Sequence, residues 1–145
     1  MKSRVYKFSP CSITNELGEQ IGTVLRPIIP VVLISDDESR PFLGLIDTGA
    51  DLCIFPAWIA KHLGHNLKLG EERTTRGLFG GKAKVYKHIT YMVVFERGFR
   101  CDSYYSEDKD TNKLGFGILG LPFLKNLEVE FRYPDYFKIN ERKIY

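Results

Sequence analysis

The chain has 145 residues, of which 43% are hydrophobic and 27% are charged, and this is the composition of a globular protein, not of a disordered one. Its 21 lysines and arginines against 18 aspartates and glutamates leave a formal net charge of +3, too mild to indicate a nucleic-acid-binding protein. The longest apolar run covers only residues 28–34 and contains Pro30, whereas a transmembrane helix needs about 20 apolar residues, so we expect no membrane partner.

The three cysteines, Cys11, Cys53 and Cys101, are an odd number and contain no C-x-x-C spacing. Zinc sites and disulfide frameworks usually have paired or closely spaced cysteines, so this pattern favours reduced thiols and predicts no metal site. Residues 1–8 alternate charged and apolar side chains and lack the apolar core of a secretory signal. Both observations predict a cytoplasmic protein.

The first half of the chain has short runs of β-branched and aromatic residues separated by turn residues, and this pattern predicts an all-β fold. Strands are predicted over residues 4–8, 11–14, 20–25, 28–35, 41–46 and 52–55. The turn residues 15–18 join the second and third strands as a hairpin, and the polar residues 36–39 form the next turn. Pro56 and Gly64 bracket a predicted two-turn helix.

The second half continues the same pattern. Further strands are predicted over residues 67–75, 83–96, 99–104, 116–119, 127–132 and 136–140, with a helix over 122–126. Gly80-Gly81 marks a hairpin tip, and residues 106–113 read as an exposed polar loop. In the long strand 83–96, the alternation predicts one shared face for Ile89, Tyr91, Val93 and Phe95.

The most informative motif is Asp47-Thr48-Gly49-Ala50, which directly follows the apolar strand predicted over 41–46. A carboxylate at the end of a buried strand lies where desolvation can change its acidity, and Gly49 lets another backbone approach closely. The tripeptide taken alone would equally fit a turn aspartate without a catalytic role.

Two further features accompany this motif. Residues 117–124 place two branched apolar residues, Ile118 and Leu119, and a glycine directly before a short helix. A glycine-tipped hairpin, Leu78-Phe79-Gly80-Gly81, lies between the two motifs.

Together, and in this order, the three features resemble the retropepsin-like aspartic proteases, a family with retroviral, bacterial and cellular members. The resemblance covers residues 26–139. It implies an all-β, closed acid-protease barrel with a flap hairpin and one or two short helices. It also implies one domain over 1–145, made of an N-terminal extension, 1–25, and a core, 26–140.

The resemblance implies a specific activity. The sequence contains one D-T-G and no second D-T-G or D-S-G, so an active site would form only when two copies of the chain pair as a homodimer. The two Asp47 carboxylates would share one proton and activate a water that hydrolyses a peptide bond. We therefore expect an aspartic endopeptidase that uses no cofactor and no metal and acts on an extended peptide or protein.

The resemblance also implies roles for residues around the catalytic Asp47. Thr48, Gly49 and Ala50 would support the turn, with Thr48 bonding across the dimer axis. Ile118 and Leu119 would brace it. Substrate contacts are expected at Gly49, Asp51, Leu78, Phe79, Gly80, Gly81, Ile118 and Leu119.

Ala50 stands where many acid proteases have Ser or Thr, and its lack of a hydroxyl predicts a less acidic pH optimum of cleavage than that of a pepsin-like pair of aspartates.

The alternative function is a catalytically silent peptide-binding or dimerisation module with the same barrel. A third possibility is a half-site that pairs with a different chain.

Overall fold

The structure is a computed structural model and describes residues 2–76 and 81–142. Within these ranges the strands are β1 (Ser3–Tyr6), β2 (Ser9–Thr14), β3 (Gln20–Arg26), β4 (Ile28–Ser35), β5 (Glu38–Ile46), β6 (Ile54–Pro56), β7 (Glu71–Arg76), β8 (Lys82–His88), β9 (Tyr91–Val94), β10 (Arg97–Arg100), β11 (Ser103–Ser106), β12 (Gly117–Leu119), β13 (Leu127–Arg132) and β14 (Tyr136–Glu141). The helices are α1 (Ala57–His62), α2 (Lys109–Lys113) and α3 (Leu121–Leu124), and a 3₁₀ turn covers Leu67–Leu69.

These strands form three sheets. The largest has nine strands in the order β10-β9-β4-β5-β12-β6-β11-β8-β7. The second has the order β1-β14-β13, and β2 and β3 pair only with each other. The expected all-β character is therefore confirmed. The expected closure into a barrel is not seen in the strand pairing of the described residues, because the largest sheet is open between β10 and β7.

The β4–β5 hairpin lies within the largest sheet, beside its middle strand β12, and positions the Asp47 motif. In β4 the alternating residues Ile29, Val31 and Leu33 are buried, which is the period-2 pattern of a strand with one face on the core. The two strands pair from Ile28 opposite Leu45 to Ser35 opposite Glu38. β5 therefore ends at the buried Ile46, and the next residue, Asp47, lies directly after the end of the strand.

The predicted long strand over 83–96 is wrong, because the chain there forms β8 and β9. The break lies at Ile89 and Thr90, where Thr90 is fully buried and its hydroxyl bonds the carbonyl of His88 at 3.1 Å. β8 pairs with β7 and β11, whereas β9 pairs with β4 and β10. Of the four residues predicted to share a face, Tyr91 and Val93 do so in β9, where they alternate with the buried Met92 and Val94, whereas Ile89 and Phe95 lie outside the strand.

The predicted strand over 99–104 is likewise two strands, β10 and β11, which separate at Cys101. The N–H of Cys101 donates to the carbonyl of Thr90 at 2.8 Å, whereas the N–H of Tyr104 donates to the carbonyl of Cys53 at 2.9 Å. The chain therefore leaves β10 at Cys101 and pairs with strand β6 from Tyr104, three residues later.

Several shorter elements differ from the sequence predictions. The polar segment 106–113 is not all loop, because it contains α2, and the predicted strand over 67–75 begins with the 3₁₀ turn before β7. The predicted helices are shorter in the structure, as α1 and α3. Over the described part of the chain, no helix is long and apolar enough to cross a membrane.

The N-terminal extension divides between two places. β1 pairs with β14 from Ser3 opposite Asn140 to Tyr6 opposite Phe137, so it completes the C-terminal sheet. Phe8 follows it and packs against Phe137 with ring centroids 5.1 Å apart. The predicted hairpin of β2 and β3 is confirmed and forms a sheet of its own.

Candidate active site

Asp47 is held in place by the backbone of a distant strand. Its N–H donates to the carbonyl oxygen of Leu119 at 3.0 Å. This bond continues the parallel pairing of β5 with β12, in which Leu119 lies beside Ile46. The turn after β5 is therefore attached to the end of β12, as expected for a segment that braces the Asp47 motif.

The Asp47 turn closes on itself through two further bonds. The N–H of Gly49 donates to Oδ1 of Asp47 at 2.9 Å, and the N–H of Ala50 donates to the Asp47 carbonyl at 3.2 Å. Asp47 is half-buried, whereas Thr48 and Gly49 are exposed. The carboxylate therefore has one oxygen fixed by the turn, and the tip of the turn faces away from its own chain.

Gly120 allows the two segments to approach. The N–H of Leu121 donates to the Ala50 carbonyl at 2.9 Å. A Cβ at Gly120 would overlap the carbonyl oxygens of Ala50 and Leu52, and these are backbone atoms that cannot rotate away. Only glycine fits here without moving the Asp47 turn.

A cleft of about 260 Å³ adjoins Asp47. It is lined by Asp47, Ala50, Ile54, Thr75, Arg76, Ala83, Val85, Ser106, Thr111, Leu114 and Ile118. Three of the predicted site residues, Asp47, Ala50 and Ile118, are thus brought together.

The other predicted site residues have different positions. Leu119 is fully buried and contributes its carbonyl oxygen, not a cleft surface. Asp51 is exposed beside the turn and outside the cleft lining, and Gly81 is exposed just before β8. Leu78, Phe79 and Gly80 lie outside the described residues.

The strands β7 and β8 form the base of the predicted flap. They pair antiparallel, with Thr75 opposite Ala83 and Arg76 opposite Lys82. Thr75, Ala83 and Val85 line the cleft, so the hairpin that leads to residues 77–80 borders the space beside Asp47.

Most residues of the cleft wall do not stand out in the sequence. In β8 the apolar Ala83 and Val85 alternate with lysines, and this alternation indicates that the two residues lie on one face of the strand. The lining residues Ser106 and Leu114 carried no local signal, because their position depends on how α2 folds against the sheet.

A buried pair of thiols lies behind the turn. Cys53 and Cys101 are 0% and 4% exposed, and their Sγ atoms are 3.8 Å apart, too far for a disulfide. The hydrogen bond between the two thiols lowers the pKa of Cys53, against the effect of burial, and the amides of Gly120 and Phe123 act in the same direction. The same hydrogen bond and burial raise the pKa of Cys101.

Within residues 2–76 and 81–142, no three His, Cys, Asp or Glu side chains are grouped so that they would hold a metal ion. His62 and His65, which are close in sequence, have separate neighbours. His62 packs against the edge of Trp58, and His65 stacks on His88 with centroids 4.4 Å apart.

Comparison with known proteins gives matches at the level of structure. The sequence matches no family model and none of the curated proteins with which it was compared. A retropepsin-like aspartic protease from Rickettsia conorii aligns with a TM-score of 0.59 over 95% of this chain and 98% of that chain, at 15% identity. The EIAV protease complexed with the inhibitor HBY-793 aligns with a TM-score of 0.51 over 78% of this chain and 92% of that chain, at 19% identity.

Both solved structures are proteases, one of them described as a retropepsin-like aspartic protease, and both alignments cover most of each chain. At these sequence identities the likeness concerns the arrangement of the backbone, since one fold can carry several functions. The chain has the fold of the retropepsin-like aspartic proteases.

Proposed function

We propose that the protein is an aspartic endopeptidase that works as a homodimer, with one Asp47 from each chain. The observation that carries the proposal is the position of Asp47. It lies at the end of β5, bonded to Leu119 and half-buried beside a cleft, in a fold shared with aspartic proteases.

The homodimer follows from the number of carboxylates. Hydrolysis of this kind needs two carboxylates that share one proton, and the chain has only one D-T-G. A twofold axis beside the turn would supply the second Asp47 from an identical chain. The exposure of Thr48 and Gly49 supports this arrangement, because a partner would cover the tip of the turn.

The chemistry then needs only the two carboxylates and a water. The ionised Asp47 accepts a proton from the water, whose oxygen attacks the scissile carbonyl carbon. The protonated Asp47 of the other chain donates to the carbonyl oxygen as the tetrahedral intermediate forms. When the C–N bond breaks, a carboxyl proton passes to the leaving amine. The Gly49 N–H on Oδ1 keeps the carboxylate oriented throughout.

The substrate we propose is an extended peptide. Ile54, Val85 and Ile118 give the cleft an apolar wall suited to apolar side chains. An extended backbone would add as a strand between the cleft floor and the β7–β8 hairpin. Residues 78–81 would close over it and exclude water.

Cleavage of a diverse peptide library, followed by mass spectrometry from about pH 3.5 to about pH 7.5, tests the proposal. The wild type would be compared with Asp47→Asn, and with Asp37→Asn as a matched control in an exposed turn outside the cleft. We expect cuts between apolar residues by the wild type and Asp37→Asn, and none by Asp47→Asn. Cuts that persist in Asp47→Asn, or a dimeric wild type that cuts nothing, would overturn it. The second outcome would favour a silent peptide-binding module.

A further inference from the structure

One wall of the cleft comes from α2 and the residue that follows it. Thr111 within the helix and Leu114 after it line the cleft together with Asp47 and Ile118. No other apolar side chain of this segment lies in the lining. Leu114 is half-buried, so it presents part of its surface to the cleft.

A network of hydrogen bonds holds this short helix in place. Asp108 is its N-cap and accepts, through Oδ2, from the N–H of Thr111 at 3.0 Å and from its hydroxyl at 3.1 Å. The Asn112 amide donates to the carbonyls of Ser106 and Asp108 at 3.2 and 2.6 Å. The N–H of Asp108 donates to Oγ of Ser106 at 3.1 Å.

These bonds matter because α2 has only five residues. A helix this short is not stable by itself in water, so its position depends on the cap and on the contacts to β11. The network therefore fixes the backbone that carries Leu114, and it keeps the α2 wall of the cleft in one conformation.

The size of the cleft indicates what it holds. Its volume of about 260 Å³ lies just below the roughly 300–1,000 Å³ of pockets that enclose whole small ligands. The same cleft forms part of the groove proposed for an extended peptide, and one apolar side chain of that peptide would occupy it. Ile54, Val85, Leu114 and Ile118 make its surface mainly aliphatic.

We propose that Leu114 is a specificity-determining residue, which sets the size of the apolar side chain accepted next to the scissile bond, and that Asp108 is a positioning residue which holds Leu114 through α2. The inference rests on the proposed endopeptidase function. Leu114 limits the depth of the cleft, so that the wild type prefers an aliphatic side chain of the size of leucine over an aromatic one.

Peptides that are identical except for Ala, Leu or Phe on either side of the cut test this inference. We expect Leu114→Ala to raise the Phe/Leu ratio of kcat/KM by about tenfold, and Leu114→Phe to shift the preference toward Ala by a similar factor. Leu69→Ala is the matched control, since Leu69 is 82% exposed and outside the cleft lining. Unchanged ratios in both Leu114 variants would overturn the inference.

The role of Asp108 has its own comparison. Asp108→Ala removes the cap, and the values of kcat/KM for the three peptides should become more alike. Asp108→Asn keeps a capping oxygen and should retain the wild-type differences in kcat/KM. A purely structural role would lower the activity on all three peptides equally. An equal loss would therefore contradict a positioning role for Asp108.

Binding separates failure of this inference from failure of the proposed function. The same three peptides are titrated against Asp47→Asn, with and without the Leu114 substitutions. If the wild type cuts nothing, the endopeptidase proposal fails, but a Phe/Leu affinity ratio that follows residue 114 still supports Leu114 as the determinant. Peptide binding that is absent or independent of residue 114 would overturn the inference.

Discussion

The backbone N–H of Asp47 donates to the carbonyl oxygen of Leu119, 3.0 Å away, and these residues lie 72 positions apart in the chain. The bond ties the turn after β5 to the end of β12. Beside it, Gly120 lies against the carbonyls of Ala50 and Leu52. The orientation of the Asp47 carboxylate thus depends on a close contact between two backbones.

Substitution of Gly120 should therefore be costly. In Gly120→Ala the new methyl group meets fixed carbonyl oxygens, and we expect the free energy of unfolding in urea to fall by about 1–3 kcal/mol. Gly22→Ala is the control, because a Cβ there meets only the end of the Ile13 side chain at 4.0 Å. Equal stability of Gly120→Ala and the wild type would contradict the close contact.

Acidification should weaken the corner where His65 stacks on His88. Burial, together with the neighbouring charge of His88, lowers the pKa of His65 from 6.5, against the opposing effects of Asp36 and the Ile89 backbone. The unfolded chain then binds more protons than the folded chain just below pH 6.5, so stability falls as the pH drops through this window.

The variant His65→Gln removes this titration. We expect its free energy of unfolding to fall less than that of the wild type between about pH 7.5 and about pH 5.5, measured by urea denaturation. Parallel stability curves for the two proteins would show that His65 is not perturbed by its neighbours.

The three cysteines should differ in reactivity. Cys53 and Cys101 are buried and unlinked, and Cys11 is half-buried on β2. A bulky aromatic disulfide reagent should therefore react quickly with Cys11 alone in the native protein, and with all three thiols after denaturation without reductant. Only one reactive thiol after such denaturation would mean that Cys53 and Cys101 form a disulfide.

Residue 50 should influence the pH optimum of cleavage. A hydroxyl at this position would lie beside the carboxylate and stabilise its ionised form through a hydrogen bond. We expect Ala50→Ser to shift the acid limb of the pH–rate profile to lower pH than in the wild type. Ala57→Ser, on α1 and outside the cleft lining, should leave the profile in place. A shift to higher pH in Ala50→Ser would refute this explanation.

The sequence predicts the central hairpin and the Asp47 turn well, because both depend on local signals. The alternation in β4 and the D-T-G after an apolar strand are visible within about twenty residues. The break at Thr90 was missed because residues 89–95 continue the apolar pattern of a strand, and the change of sheet partner is decided by distant strands.

The helix α2 was missed for a related reason. Its residues are polar and too few to show a helical period, and the one local signal is the spacing of Asp108 and Thr111, which form the N-cap pair. The cleft combines residues from five strands, the Asp47 turn and the α2 segment, so most of it lies beyond local patterns. The roles of the flap residues 78–80 and the cytoplasmic location stay predictions of the sequence.

Mixing of subunits can show whether each active site needs Asp47 from two chains. Wild type and Asp47→Asn are unfolded together, refolded at constant total concentration, and assayed on one peptide that the wild type cuts. If both carboxylates are needed, activity follows the square of the wild-type fraction, and an equal mixture retains about one quarter of the wild-type activity. A linear dependence, with about one half retained, would mean that each chain acts alone and would contradict a site built from two chains.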